Sequence, residues 1–138
     1  LFVDVVSGNK DWDDSFRGVL QQLDAGIKLE KLRRSDPIYT GEIPGTQGFD
    51  AVKVNFRKAL HTQFSTSGRC DLYAILWNGK QVGVYSAYDI SSGIGYHYFP
   101  ECRGVMPQQA RELAMNVFLA AYGWKAAAAT GSGSSTKG

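Results

Sequence analysis

"DLYAILWNGKQVGVYSA", residues 71–87, holds two apolar runs on either side of Asn78-Gly79. Asn-Gly suits the type I′ turn, whose two central residues both need positive φ. Residues 72–77 and 81–86 are therefore predicted to pair as an antiparallel Asn-Gly β-hairpin. In the second run Val82, Val84 and Ser86 alternate with Gly83 and Tyr85, the two-residue period of a strand.

Outward from this pair, both ends of the chain add helices. "LFVDVV", residues 1–6, is an apolar run that begins without a turn signal and reads as a buried parallel strand. "SGN" ends it. Asp11 stands where an N-cap belongs, with Asp13 and Asp14 favourable against the positive helix end. Trp12, Phe16, Val19, Leu20 and Leu23 fall on one helical face, and Gly26 supplies a left-handed stop. Downstream, Pro107 stands at a first helical position. Ala110, Leu113, Ala114, Val117, Phe118 and Ala121 then repeat at three and four. Leu119 and Ala120 make this helix apolar nearly all round, which predicts deep burial, and Gly123 closes it. Between these ends, residues 27–32 suggest a short strand and residues 33–49 a loop. Residues 51–56 carry strand period at Val52, Val54 and Phe56, and residues 57–69 form a helical turn or an extended loop. The fold class is α/β.

The chain has 138 residues, of which 43% are apolar and 20% charged, values of an ordinary globular domain. A net charge of +2 with no basic stripe interleaved with aromatics argues against nucleic acid. Lys28, Lys31, Arg33 and Arg34 read as a solvated edge. No apolar run approaches the ~20 residues of a membrane span. Residues 1–124 are expected to form one α/β domain. The start on a strand at Leu1 suggests a fragment of something longer, and residues 125–138 suggest a flexible linker or an expression-derived tail. The compartment stays open. Cys70 and Cys102 are compatible with a disulfide or with two reduced thiols.

Residues 85–105, "YSAYDISSGIGYHYFPECRGV", gather Tyr85, Tyr88, Asp89, Ser91, Ser92, His97, Cys102 and Arg103 between a core strand and a core helix. Open α/β sheets bind ligands at that edge. Several readings compete. Cys102 and His97 form a nucleophile–base pair if Asp89 orients the His. His61, Cys70, His97 and Cys102 offer metal-ligand types, but their spacing matches no zinc motif, and no metal or cofactor is expected. In a structural reading, Asp89 caps the turn after its strand, Tyr85 and Tyr88 pack, and Gly93 and Gly95 permit the bend. In a binding reading, Tyr85, Tyr88, Tyr96, Tyr98 and Phe99 surround a few polar groups. At the first strand–helix junction "SGN" is far short of a phosphate-binding glycine motif. Asp4 there is either a site carboxylate or a bond acceptor for nearby backbone amides.

Four stretches taken together, "LFVD", "SDPIYTGEI", "WNGKQVGVYSAYDISSGIGY" and "CRGVMPQQARELAMNVFLAAYG", resemble the C-terminal half of the bacterial family called domain of unknown function 4159. Gln81 to Ala87 match its strand, Tyr88-Asp89 its Tyr-Asp pair, and Asn116 and Tyr122 its last helix. Asp36 stands where that family usually has His before Pro37. The resemblance implies a class I glutamine amidotransferase-like fold: a flavodoxin-like, mostly parallel sheet with helices on both faces, of which this chain is the C-terminal portion. It also implies protein partners of the MoxR-type ATPase or von Willebrand A-domain kind. The amidotransferase nucleophile would sit in the turn over residues 4–9, which lacks Cys and has only Ser7 as a hydroxyl. The combined reading is a non-catalytic α/β binding or protein-interaction domain of unknown ligand. The alternative is a hydrolase-like enzyme using the 89–103 loop, which needs His97 within hydrogen-bond reach of Cys102 or a Ser.

Overall fold

The structure, a computed structural model, describes residues 1–63, 65–97 and 100–131. In chain order they form β1 (Phe2–Asp4), α1 (Lys10–Leu23), β2 (Ile27–Lys31), α2 (Pro37–Thr40), β3 (Val54–Asn55), β4 (Ser67–Gly68), β5 (Leu72–Trp77), β6 (Lys80–Ser86), α3 (Ser91–Ile94) and α4 (Pro107–Gly131). Single 3-10 turns lie at Val6–Gly8 and Lys58–Leu60. The fold is mixed α/β.

The main sheet has the order β1-β6-β5-β2. β1 pairs with β6 in parallel, Phe2 opposite Val84 and Asp4 opposite Ser86. β5 pairs antiparallel with both β6 and β2, so the sheet is mixed and not the mostly parallel one expected. Asn78 and Gly79, between Trp77 and Lys80, have φ of 49° and 77°. No Cβ clash restricts Gly79, so the left-handed φ alone favours glycine there. The β5–β6 register shifts beside Val82, so the regular alternation expected through Val82 and Val84 breaks. From Gly83 to Ser86 every β6 residue is buried, which places that end of the strand under cover on both faces.

Two separate clusters show what covers each face. Leu72, Ala74 and Val84 pack with Ile38, Leu60, Ile90 and the Ala110, Leu113 and Val117 ridge of α4. Ile75, Tyr85 and Val5 pack on the other face with Phe16 of α1. The alternating strand period thus sends successive side chains to two different helices. Asn116, fully buried in α4, ties in the 38–49 segment. Its Nδ2 donates to the Ile38 and Phe49 carbonyls at 2.8 and 2.7 Å, and its Oδ1 accepts from Phe49 N at 2.9 Å.

Several expectations need correction. Asn9, not Asp11, caps α1: its side chain accepts from the Asp11 and Trp12 amides at 2.8 and 3.2 Å. α1 ends at Asp24 in extended conformation, and Gly26 is not a left-handed stop. A Cβ on Gly26 would meet the Asn78 side chain at 2.3 Å, so close approach is what requires glycine. No residue of α1 is fully buried. Phe16 docks, while Trp12, Val19 and Leu23 remain exposed, because the four-stranded sheet offers α1 too narrow a surface. α4 is one-sided rather than buried all round, with Met115, Phe118 and Tyr122 exposed. It also runs past Gly123 to Gly131, carried by the alanines at 126–129, the best helix formers. Of the expected tail, residues 132–138 lie outside the described residues. Among the described residues no helix is long and apolar enough to cross a membrane.

Candidate functional site

The parallel pairing of β1 with β6 sets their carboxyl ends side by side, and an aspartate stands at each. Asp4, the last residue of β1, reaches over the turn that follows β6. Its Oδ2 accepts from the Ile90 and Ser91 amides at 2.7 Å each, and the Ser91 hydroxyl donates to both of its oxygens. Asp89, just past β6, reaches back over the turn that follows β1. Its Oδ2 accepts from Ser7 N at 2.6 Å, and its Oδ1 accepts from Ser92 N at 2.8 Å and from the Ser92 hydroxyl. Each strand's carboxylate therefore caps the other strand's loop. The main chain closes the same knot: Asp89 N donates to Arg103 O, Val105 N to Asp89 O, and Arg103 N to Ser7 O. Ser7 adopts φ 58° and ψ 9°, a left-handed conformation that costs a non-glycine residue about 1–2 kcal/mol. Its N–H bond to Asp89 and its carbonyl bond from Arg103 offset that cost.

Asp89 is 3% exposed. A carboxylate so placed is tolerable because charge-assisted donors surround it. The structural reading of Asp89 holds for its bond from the following serine turn. The bond from Ser7, 82 residues earlier, is a tertiary feature that local sequence does not signal. Asp4 does accept from backbone amides, but from Ile90 and Ser91, remote in sequence, and not from the nearby amides expected.

Cys102 is fully buried, with its Sγ 3.5 Å from the Ser92 hydroxyl. Burial raises its pKa, and the Asp89 charge adds to the rise over the opposing bond from Ser92. It is a protonated thiol at neutral pH, whereas the thiolate is the nucleophilic form. Asp89 accepts from the Ser92 hydroxyl. His97 is exposed and lines a cavity different from the one beside Cys102. The cavity at Cys102, about 440 Å³, is lined also by Ser7, Lys10, Asp11 and Arg103.

Cys70 and Cys102 are both free thiols, so the disulfide reading does not hold in this conformation. Cys70 is turned toward the Ser86 hydroxyl at 3.9 Å and Cys102 toward Ser92. Among the described residues no group of three or more His, Cys, Asp or Glu side chains could hold a metal ion. Tyr85 does not belong to the loop surface. It is buried on the α1 face, stacked on Phe16 at 4.8 Å, with its hydroxyl donating to Asp13. Tyr88 packs against Phe56 at 6.1 Å, and burial pushes its pKa up to about 12. Arg103 Nη2 donates to the Gln63 side chain. Tyr98 and Phe99 lie outside the described residues.

A larger cavity, about 900 Å³, opens on the other side of this loop. Phe56, Arg57 and Lys58 line it from the segment after β3, Tyr96 and His97 from the turn after α3. Pro107, Gln108, Gln109 and Arg111 line it from the first turns of α4. Arg57 is 6% exposed. Its Nη1 donates to His97 O at 2.8 Å and its Nε to Val105 O at 3.4 Å, while Nη2 is buried without a partner among the described residues. Arg111 lies over the Tyr96 ring at 4.1 Å from its centre. Of the cavity lining, sequence reasoning singled out His61, as one metal-ligand type among four, with Tyr96 and His97, and missed the rest. Arg57 and Lys58 are adjacent basic residues in a polar stretch, and no local signal tells the buried one from the exposed one. No family model matches the chain, and no curated protein or solved structure matches it either.

Proposed function

We propose that this chain is a non-catalytic α/β binding or protein-interaction domain, and that the cavity at the start of α4 is its ligand seat. One observation carries the reading. Asp89, Ser91, Ser92 and Cys102 are engaged in the chain's own hydrogen bonds, whereas the adjacent cavity holds a buried arginine with an unused donor. Its volume falls within the ~300–1,000 Å³ of small-molecule sites. The hydrolase alternative needs His97 beside Cys102 or a serine; His97 and Cys102 line separate cavities, and the Ser91 and Ser92 hydroxyls donate to Asp4 and Asp89.

The resemblance to the domain of unknown function 4159 family stays part of this proposal. So does a flavodoxin-like origin of the sheet, with β5 and β6 as its Asn-Gly hairpin. Support comes from the parallel β1–β6 pair and from helices covering both faces. A MoxR-type ATPase or von Willebrand A-domain partner follows from the same resemblance.

The test is a fragment screen read by amide shifts of the labelled protein, run beside ester and phosphoester hydrolysis assays. Binders are expected to shift residues 55–58 and 106–111. Hydrolysis that disappears on Ser92→Ala or Cys102→Ala would overturn the proposal in favour of the enzyme.

A further inference from the structure

Resting on the binding reading above, we propose that the cavity between the 55–58 segment and the start of α4 recognises an oxyanion, a phosphate or carboxylate, carried on an aromatic or apolar body. Two independent features converge there. The first is α4 itself, 25 residues long, with Pro107 as its first residue and therefore no N–H at that position. Among the described residues nothing accepts from the Gln108 and Gln109 amides, and Met106 before them has no capping side chain. A long helix with a bare first turn presents donors and partial positive charge to an anion.

The other feature is Arg57. Two of its nitrogens bond to carbonyls, which leave its charge uncompensated, and Nη2 has no partner among the described residues. Burying a cation in this state is costly unless an anion completes it. The backbone fixes Arg57 next to α4. Phe56 and Val105 form an antiparallel bridge, Arg57 N donates to Gly104 O, and Met106 N donates to Asn55 O at 2.8 Å. Lys58 and Arg111 add charge at the wall, and among the described residues no acidic side chain lines the cavity. One guanidinium N–H and two amides suit the several acceptor atoms of an oxyanion. Phe56, Tyr96 and Met106 offer the apolar surface for the body of the ligand.

The labelled full chain is titrated with phenyl phosphate, benzoate and phenol in phosphate-free buffer. The anionic probes are expected to shift the Gln108 and Gln109 amides and to bind at least about tenfold tighter than phenol, a difference of ~1.4 kcal/mol. The tighter of the two anions assigns the headgroup. Arg57→Met is expected to weaken anion binding about tenfold or more and leave phenol binding unchanged. Lys58→Gln, at an exposed position, is expected to weaken it less and to reduce its salt dependence. Phenol binding as tightly as either anion, or anions that leave the Gln108 and Gln109 amides unmoved, would overturn the oxyanion inference while the binding reading stands. Release of phenol from phenyl phosphate would sink the binding reading instead.

Discussion

Two regions lie back to back around the loop after β6, and they treat polar groups in opposite ways. At the carboxyl ends of β1 and β6, two aspartates accept from the amides and hydroxyls of the loops they face. At the start of α4, a buried guanidinium and two helix amides have donors to spare. The aspartate region has the residue types of an active site and behaves as a clasp. The α4 region has the residue types of ordinary surface and the unmet chemistry of a site. Residue identity marks where polar groups are; their hydrogen-bond partners decide whether anything is left for a ligand.

If the clasp is structural, breaking it should cost more than any change in the cavity. Asp89→Ala strands the Ser7 and Ser92 amides and is expected to destabilise the domain by on the order of 3 kcal/mol, since each unsatisfied buried group costs about 1–3. Chemical denaturation measures it. Asp4→Ala, on a more exposed carboxylate, is expected to cost less. The double mutant should cost less than the sum, because both residues hold the same two loops. Full stability in Asp89→Ala would leave the clasp without a structural role.

The legible parts of the fold were those that local pattern specifies. Residues 1–6 read as a buried parallel strand from their apolar run; the strand is the shorter Phe2–Asp4, and it pairs in parallel with β6. Pro107 read as a first helical residue and is one. The α1 face had the right period at Trp12, Phe16, Val19, Leu20 and Leu23, yet burial depends on what lies opposite, and only Phe16 finds a full partner. The α1 cap shows the same limit at short range. Asn9 and Asp11 are both good caps two residues apart, and the left-handed Ser7 that sets the entry angle is held by Asp89, far along the chain. For the candidate site, Asp89, Ser92 and Cys102 were legible as neighbours. Arg57 was not, since its burial comes from the 104–106 segment laid beside it.

The thiols sharpen the contrast at an intermediate scale. Burial pushes the Cys70 thiol up to about 12 and raises Cys102 as well. The folded pKa of each lies above the unfolded value of ~8.5. The folded state therefore favours the protonated thiol, and this contribution is fully present below that pH. For Cys70 it is lost as the pH rises toward 12, by up to about 1.4 kcal/mol per pH unit, and Cys102 acts in the same direction. Stability measured from pH 8 to 10 should fall, and Cys70→Ala should flatten the slope. Iodoacetamide at pH 8 should label neither thiol before unfolding. Rapid labelling of Cys102 would mean an accessible thiolate and would move the clasp back toward chemistry.

The smallest expected effect on stability is the one that separates the two regions most cleanly. Arg57→Met removes a guanidinium that donates to two carbonyls, one of them at a long 3.4 Å. It also removes a buried charge whose third nitrogen has no partner among the described residues. Methionine keeps a long flexible body for the space. The lost bonds and the relieved desolvation oppose each other, so the net change is expected to stay within about 1 kcal/mol. A loss comparable to that of Asp89→Ala would instead make Arg57 a second clasp, holding the 104–106 segment against β3, and the contrast between the two regions would disappear.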